Sequence, residues 1–399
     1  MRGSDRSKNE AWGVIKIMQL ANKTIMQILP ALNMGGVERG TIDIAQAIIN
    51  SGGRAIVVSN GGRQVEALNK MGATHIEMPV HSKNPLVMWQ NNFALQQLIK
   101  KHKVDLVHAR SRAPAWSANA ATKATRTKFV TTFHGLYGLQ PPFAGLRKRY
   151  NSIMTKGEKV IAVSNFIADH IWRNYNVADD VVRIIHRGVD LDKFNPANIS
   201  EVNMGRLLSE WKLIEIDKPI LFMPARFTRW KGHDIVLRAL HALPHRDFFC
   251  IFSGDSDKHP EYYKELKKMT EELDLVGNVR YVPATNAMAE AYALCELVLC
   301  PSQKPEAFGR VAAEAGAMAK LVISTNHGGA CETILADATG WLVPPNDFMA
   351  ITAVLQDALS MSEGRKAEMR YLAENNIINN FSLQAMQMQT LAVYQELFA

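Results

Sequence analysis

Short apolar runs alternate with longer amphipathic segments along most of the chain. The first run, Thr24 to Pro30, leads through a glycine-rich turn into the helical pattern of residues 41–49. This alternation is typical of a doubly wound α/β fold, in which helices cover both faces of a parallel sheet. The further runs that predict strands in the first half are residues 55–59, 75–78, 104–109, 128–132 and 159–164.

The alternation resumes after a polar stretch, residues 198–218, which we interpret as an interdomain linker. Because a single core rarely grows beyond roughly 250 to 300 residues, 399 residues predict two domains. The last segments, 351–363 and 367–398, have a helical pattern. In the second half, strands are predicted at residues 220–224, 248–253, 279–282, 297–300 and 321–323, with a helix at 311–319.

The composition is that of a folded protein, with 47% hydrophobic and 21% charged residues. No stretch approaches the roughly 20 apolar residues of a membrane span, so an integral membrane protein is not expected. The four cysteines form no C-x-x-C pair, which favours reduced thiols in a cytoplasmic protein. Residues 1–20 are expected to be a flexible leader, either native or a non-native start, because their polar beginning lacks a signal-peptide core.

The net charge of +8 favours anionic partners: nucleotide phosphates, nucleic acid or an anionic membrane surface. No zinc-finger spacing or aromatic RNA-binding signature supports nucleic acid. Residues 139–150 combine apolar side chains with a basic cluster, Arg147 to Arg149. Surface helices of this composition bind anionic membranes, and a solvated basic helix is the alternative.

The segment of residues 301–334 carries the clearest candidate chemistry. Glu306 precedes a small-residue helix and Glu314 lies about two turns into it, so both carboxylates can face one ligand. Phe308 and Gly309 fall at the helix N-terminus, where N–H groups and the helix dipole favour a phosphate. Carboxylates beside a phosphate site need a neutral partner, which sugar hydroxyls supply. The segment therefore indicates a sugar nucleotide as ligand, and two solvated glutamates flanking an ordinary helix are the alternative.

Three further loops carry glycine or polar residues at predicted strand ends, where such sheets hold ligands. Gly35 and Gly36 lack the G-x-G-x-x-G spacing of a dinucleotide site, but they let the backbone approach a ligand closely. A tight turn without a ligand is the alternative. His134 follows the strand at 128–132. Arg226 and Lys231 lie across a strand-to-helix loop and can clamp a diphosphate.

In their order along the chain, these motifs resemble those of the family 4 retaining glycosyltransferases of the GT-B fold. Glu306 and Glu314 match the family's E-x7-E, and residues 328–332 match its GG-x-x-E turn. Two positions depart from the family pattern. Arg187 stands where Asn is common, and Ala225 replaces the glycine before the clamping arginine.

The resemblance implies two Rossmann-like domains facing across a cleft: an acceptor-binding domain at 21–200 and a donor-binding domain at 201–380. It implies a C-terminal helix at 381–399 that packs back on the N-terminal domain. The implied catalytic residues are His134, Arg226, Lys231 and Glu306. The implied donor-binding residues are Gly35, Gly36, Arg226, Lys231, Val282, Glu306, Ala307, Phe308, Gly309 and Glu314.

The implied reaction transfers a sugar from a UDP-, GDP- or ADP-sugar to a hydroxyl acceptor, with retention at the anomeric carbon. Neither a metal nor another cofactor is expected, because no D-x-D lies in a suitable loop and the cations take its place. Family analogy favours a lipopolysaccharide-core, glycolipid or polysaccharide acceptor, and a location in the cytoplasm or on the inner face of its membrane. The alternatives are a GT-B-fold epimerase, a sugar-nucleotide-binding protein without turnover, and a nucleic-acid-binding protein. The donor sugar, the base, the linkage and the oligomeric state stay open.

Overall fold

The computed structural model describes residues 20–33, 35–139 and 141–399. The predicted leader lies outside these residues except for Leu20, which is fully buried. In the part of the chain that the structure describes, no helix is both long enough and apolar enough to cross a membrane. The chain divides into two compact units: one ends at Gly188 and resumes at Leu383, and the other comprises Val189–Ser382.

The first unit is built on a seven-stranded sheet in which all neighbouring strands are parallel. Its strands are β1 (Thr24–Ile28), β2 (Arg54–Ser59), β3 (Thr74–Glu77), β4 (Leu106–Ala109), β5 (Lys128–Phe133), β6 (Lys159–Ala162) and β7 (Val182–Ile184). They lie in the order β3-β2-β1-β4-β5-β6-β7. The central strands are buried on both faces, because helices cover both sides of a parallel sheet.

Helices connect these strands, and one more comes from the end of the chain. The helices are α1 (Gly36–Asn50), α2 (Val65–Lys70), α3 (Pro85–His102), α4 (Arg112–Thr125), α5 (Ala144–Asn151), α6 (Asn165–Asn174) and, far along the chain, α14 (Leu383–Glu396). Helix α14 packs on α1. Its Met386, Leu391 and Tyr394 are buried in the same core as Ile25 and Ile44. The sequence-based expectation that the last helix packs on the N-terminal domain is confirmed.

The second unit has a six-stranded parallel sheet. Its strands are β8 (Ile220–Pro224), β9 (Phe249–Gly254), β10 (Val279–Pro283), β11 (Leu297–Cys300), β12 (Leu321–Thr325) and β13 (Gly340–Val343), in the order β10-β9-β8-β11-β12-β13. Its helices are α7 (Glu201–Glu210), α8 (His233–His241), α9 (Pro260–Glu272), α10 (Met288–Ala293), α11 (Arg310–Ala317), α12 (Phe348–Ser360) and α13 (Glu363–Asn380). Both units thus show the predicted doubly wound plan.

The predicted linker at residues 198–218 is wrong, because most of it is the helix α7 and the turn that follows. Leu207, Trp211 and Leu213 are buried in the core of the second unit. Val189 is buried in that core as well. The first unit therefore ends at Gly188, before the domain boundary that the sequence places between residues 200 and 201.

The predicted single helix at residues 367–398 is two helices. Helix α13 ends at Asn380, and Phe381 leaves the helical conformation with φ −133° and ψ 27°. Its ring is buried, with its centroid 5.9 Å from that of Phe308. The last helix begins at Leu383 rather than at the predicted residue 381, because the chain passes from the second unit to the first at this break.

Candidate active site

The loop between β11 and α11 packs tightly against a turn of two glycines. The Gly329 N–H donates to the Glu306 carbonyl at 2.8 Å. A Cβ on Gly328 would lie 2.6 Å from the Glu306 carbonyl oxygen, and one on Gly329 would lie 2.7 Å from the Ala307 carbonyl carbon. Gly309, with φ 83°, directly precedes α11. Glycine at these positions therefore lets the loop and the turn approach each other.

An ion pair between Lys231 and Glu306 forms the centre of this site, although 75 positions separate the two residues. Lys231 Nζ lies 2.5 Å from Glu306 Oε1. Ser302 Oγ donates to the same oxygen, also at 2.5 Å. The Lys231 side chain is 13% exposed and that of Glu306 is 22% exposed, so the pair is largely withdrawn from solvent.

The charges around Glu306 keep its carboxylate ionised. Burial alone would raise the pKa of Glu306. The Lys231 ammonium, the hydrogen bonds from Lys231 and Ser302, and the charge of Arg226 outweigh burial and hold the pKa below its usual value. At neutral pH Glu306 is therefore a hydrogen-bond acceptor only.

The second cation of the predicted clamp, Arg226, follows β8 and is exposed. Its Cζ lies 5.8 Å from the centroid of the Trp230 ring, and Lys231 Nζ lies 4.5 Å from the same centroid. Cations are attracted to the face of an indole ring. Trp230 therefore holds Arg226 and Lys231 near each other.

Two other residues predicted to bind the donor are already engaged within the second unit. Glu314 Oε2 accepts from the Tyr292 hydroxyl at 3.1 Å, and its Oε1 lies 3.5 Å from Arg310 Nε. Phe308 is 3% exposed and its side chain lies in the core. Only the backbone of Phe308 can face a ligand, which agrees with the prediction that backbone N–H groups at this helix N-terminus bind a phosphate.

A pocket of about 410 Å³ lies at the carboxyl ends of β9 and β10. This volume is in the range of small-molecule sites. Its lining includes Val282, which the sequence predicted, and three aromatic residues, Phe227, Tyr263 and Tyr281. It also includes Asp255, which sequence reasoning missed although its position directly after a strand was a usable signal. Tyr263, on α9, carried no such signal.

In the first unit, Arg187 joins two of the predicted residues. Its Nη1 donates to the Gly36 carbonyl, and its Nη2 lies 2.6 Å from His134 Nδ1. Gly35 immediately precedes α1, and no side chain caps that end of the helix. Because a guanidinium can only donate, His134 Nδ1 accepts and the proton of the neutral ring is on Nε2.

The environment of His134 keeps its ring neutral. Burial is the main cause of a pKa well below the usual histidine value, and the nearby charges of Arg187 and Arg110 lower it further. His134 Nε2 is buried and has no hydrogen-bond partner among the residues that the structure describes. His134 therefore presents one unused N–H donor.

The predicted site residues form two groups. His134, Gly35 and Gly36 lie in the first unit, and Arg226, Lys231, Val282, Glu306, Ala307, Phe308, Gly309 and Glu314 lie in the second. The sequence noted Arg187 only as a departure from a family motif and missed its contact with His134. It also missed Ser302, which lies close to Glu306 along the chain and has no distinguishing pattern.

Comparison with known proteins assigns the family. A model described as Glycosyltransferase Family 4 matches residues 34–193, and one described as Glycosyl transferases group 1 matches residues 209–376. The crystal structure of a glycosyltransferase from Rickettsia africae is 41% identical and superposes with a TM-score of 0.88, covering 94% of this chain and 99% of that chain.

Two more distant relatives are consistent with this assignment. Anabaena HepE, solved in complex with UDP and glucose, is 20% identical, with a TM-score of 0.79 over 93% of this chain and 99% of that chain, and it shares the fold. The D-inositol 3-phosphate glycosyltransferase of Xylanimonas cellulosilytica is 29% identical over 219 residues. That match covers 54% of this chain and about half, 52%, of the relative. With its two parallel sheets and both family models matched, the chain belongs to the family 4 glycosyltransferases of the GT-B fold.

Proposed function

We propose that this glycosyltransferase moves a sugar from a nucleotide diphosphate sugar to a hydroxyl acceptor, with retention at the anomeric carbon and without a metal ion. The observation that carries the proposal is the contact of Lys231 and Ser302 with an ionised Glu306, close to Arg226. Two cations beside an acceptor-only carboxylate suit a ligand that has both phosphates and hydroxyls.

In the proposed mechanism, the bond from the anomeric carbon to the diphosphate oxygen breaks and negative charge develops on the leaving group. Arg226 and Lys231 stabilise that charge, and the backbone N–H groups at Phe308–Gly309 and Gly35–Gly36 assist them. The acceptor oxygen bonds to the same face of the sugar, and its proton passes to the leaving phosphate. This same-face route follows from the family resemblance and needs no protein nucleophile.

The remaining predicted residues orient the donor. Glu306 accepts hydrogen bonds from sugar hydroxyls, and Glu314 does so from the ribose. His134 donates from Nε2 to the sugar. The pocket around Val282 and its aromatic lining suits a nucleoside base, and bound UDP in HepE supports a UDP-sugar first, with GDP- and ADP-sugars as the alternatives.

We propose a lipid-linked acceptor, such as a lipopolysaccharide-core or glycolipid precursor, reached at the inner face of the cytoplasmic membrane. Phe143, which directly precedes α5, is 68% exposed. On α5 itself Leu146 is 65% exposed, and Lys148 and Arg149 are exposed too. Exposed apolar side chains beside basic ones suit an anionic lipid surface. Sedimentation with anionic liposomes should fall when Phe143 and Leu146 are both changed to Ser. Sedimentation that is indifferent to anionic lipid would contradict this part.

The function is tested with a thermal-shift panel of UDP-glucose, UDP-N-acetylglucosamine, GDP-mannose, ADP-glucose and the matching diphosphates. A ligand at 100 times its dissociation constant adds about 2.7 kcal/mol to the free energy of unfolding. We expect one donor and its diphosphate to stabilise the protein, and Lys231→Ala to abolish the effect. A folded protein that responds to no donor would refute the proposal. Donor isomerisation without an acceptor would favour an epimerase instead.

A further inference from the structure

A buried arginine lies at the carboxyl end of β4, near His134. Arg110 is 4% exposed. Its Nη1 donates to Gln27 Oε1 at 3.1 Å, whereas its Nε has no hydrogen-bond partner in the described part of the chain. Among the same residues, no carboxylate lies within ion-pair distance of Arg110. The proposed donor site does not use this residue.

Helix α1 leaves room for two guanidinium groups at the same place. A Cβ on Gly40 would lie 3.0 Å from Arg110 Nη2 and 3.3 Å from Arg187 Nη1. Both nitrogens are therefore close to one point on the helix surface. Gly40 has no side chain to separate them.

Arg110, Arg187 and His134 line a common cavity, with His108 and Thr132 among its other walls. The ring nitrogens of His108 are already bonded, to the Tyr394 hydroxyl and to Thr132 Oγ1, each at 2.7 Å. The volume of this cavity is about 20 Å³. A space of this size holds about one water-sized atom, so a larger ligand would place a single oxygen inside it.

The charge around the cavity favours a negative oxygen. Burial lowers the pKa of Arg110 to about 10, and the charges of Tyr394 and Asp43, which raise it, do not outweigh burial; the guanidinium therefore stays charged at neutral pH. Asp43 is itself paired with Arg39, whose Nε lies 2.8 Å from Asp43 Oδ1. Among the described residues the one hydrogen-bond partner of the buried Arg110 charge is the neutral amide of Gln27, which is unfavourable, and an anionic oxygen in the cavity would stabilise the guanidinium.

We propose that Arg110 and Arg187 form a subsite for an anionic group of the acceptor, a phosphate or a carboxylate, with one of its oxygens in this cavity. The inference rests on the proposed function, in which Arg226 and Lys231 hold the donor diphosphate and His134 contacts the donor sugar. If His134 contacts the donor sugar as proposed, a group bound beside His134 is next to the transferred sugar, where the acceptor has to approach.

Inorganic phosphate and acetate, titrated at constant ionic strength and followed by calorimetry, serve as probes of the two anion types. We expect binding of at least one of them to the wild type, with affinity reduced about tenfold or more in Arg110→Met and in Arg187→Met, because each loses charge-assisted hydrogen bonds. Arg173→Met is the matched control, since that arginine lies on α6 and its side chain is 79% exposed. The Arg173→Met variant should bind the anions with the affinity of the wild type.

A second variant addresses folding. Gly40→Ala adds a methyl group against both guanidiniums and favours the helix, so it should weaken anion binding in a folded protein even where Arg110→Met does not fold. Anion binding that is absent in the wild type, or unchanged in Gly40→Ala and Arg187→Met, would overturn the inference.

The probes also separate this subsite from the donor site. Binding should persist in Lys231→Ala and in the presence of the nucleoside diphosphate that stabilises the wild type. Displacement by that diphosphate, or loss in Lys231→Ala, would assign the anion to the donor and overturn the acceptor subsite. Failure of the proposed function is recognised separately, because no nucleotide sugar would then stabilise any variant.

Discussion

Removing the charge of either partner in the Lys231–Glu306 pair should lower both stability and turnover. Lys231→Met keeps much of the side-chain length without the ammonium group, and Glu306→Gln keeps the shape without the charge. Because both side chains are largely buried and Lys231 Nζ lies 2.5 Å from Glu306 Oε1, each change leaves a partly desolvated partner behind.

The expected losses of stability and turnover follow from this geometry. A hydrogen bond between charged groups contributes about 1.5 to 3 kcal/mol, so each single variant should lose about that much free energy of unfolding. The double variant should lose less than the sum of the two, since the interaction can be lost only once. Turnover should fall by about 10² to 10³ in each, as for removal of one contact to developing charge.

Urea unfolding measures the free energy, and release of nucleoside diphosphate from the donor that stabilises the wild type measures turnover. Arg229→Met is the matched control, because it removes a charge from the same short turn, and the Arg229 side chain is 71% exposed where it pairs with Glu265. Near-wild-type turnover in both single variants, measured on folded protein, would refute the assignment. If the double variant lost the full sum of the two single losses in free energy of unfolding, the stabilising role of the ion pair would be refuted.

Three more outcomes are expected. Gly329→Ala should abolish stabilisation by the donor, because its Cβ would displace the backbone next to Glu306; Gly364→Ala, whose Cβ meets nothing within 4 Å, should not. Burial holds the pKa of His108, His134 and His233 below the usual value, to about 3 for His233. The unfolded chain therefore binds protons first, and stability should fall below about pH 6.5 by up to about 1.4 kcal/mol per pH unit for each such histidine. A flat urea-unfolding profile from pH 7 to pH 5.5 would contradict this. Turnover should survive EDTA, and its loss with recovery on adding Mg²⁺ would contradict the metal-free proposal.

The fold was predictable because buried parallel strands appear as short apolar runs, and nearly every such run became a strand. The helix α7 was not predictable from composition, since its surface is polar and only Leu207 is buried within it. Helix α7 belongs to the second unit because Trp211 and Leu213, which follow it, are buried in the core of that unit.

The candidate site was predictable where function depends on local spacing, as for Glu306 beside its glycine turn. The Lys231–Glu306 contact needed the fold, because 75 positions separate the residues. Arg110 could have been proposed from its position directly after a strand, by the same reasoning that selected His134. That no described carboxylate pairs with the buried Arg110 could not have been predicted, because this depends on how α1 and β4 pack.

The return of α14 to the first unit makes that unit discontinuous along the chain, with consequences for synthesis. Domains generally fold as they emerge from the ribosome, N-terminal first. Here the core of the first unit lacks Met386, Leu391 and Tyr394 until the whole second unit has been translated. Tyr394 also supplies the hydroxyl bonded to buried His108. Part of the apolar surface of the first unit therefore stays uncovered until the last helix has been synthesised. A separately expressed first unit would need residues 383–399 joined after Gly188.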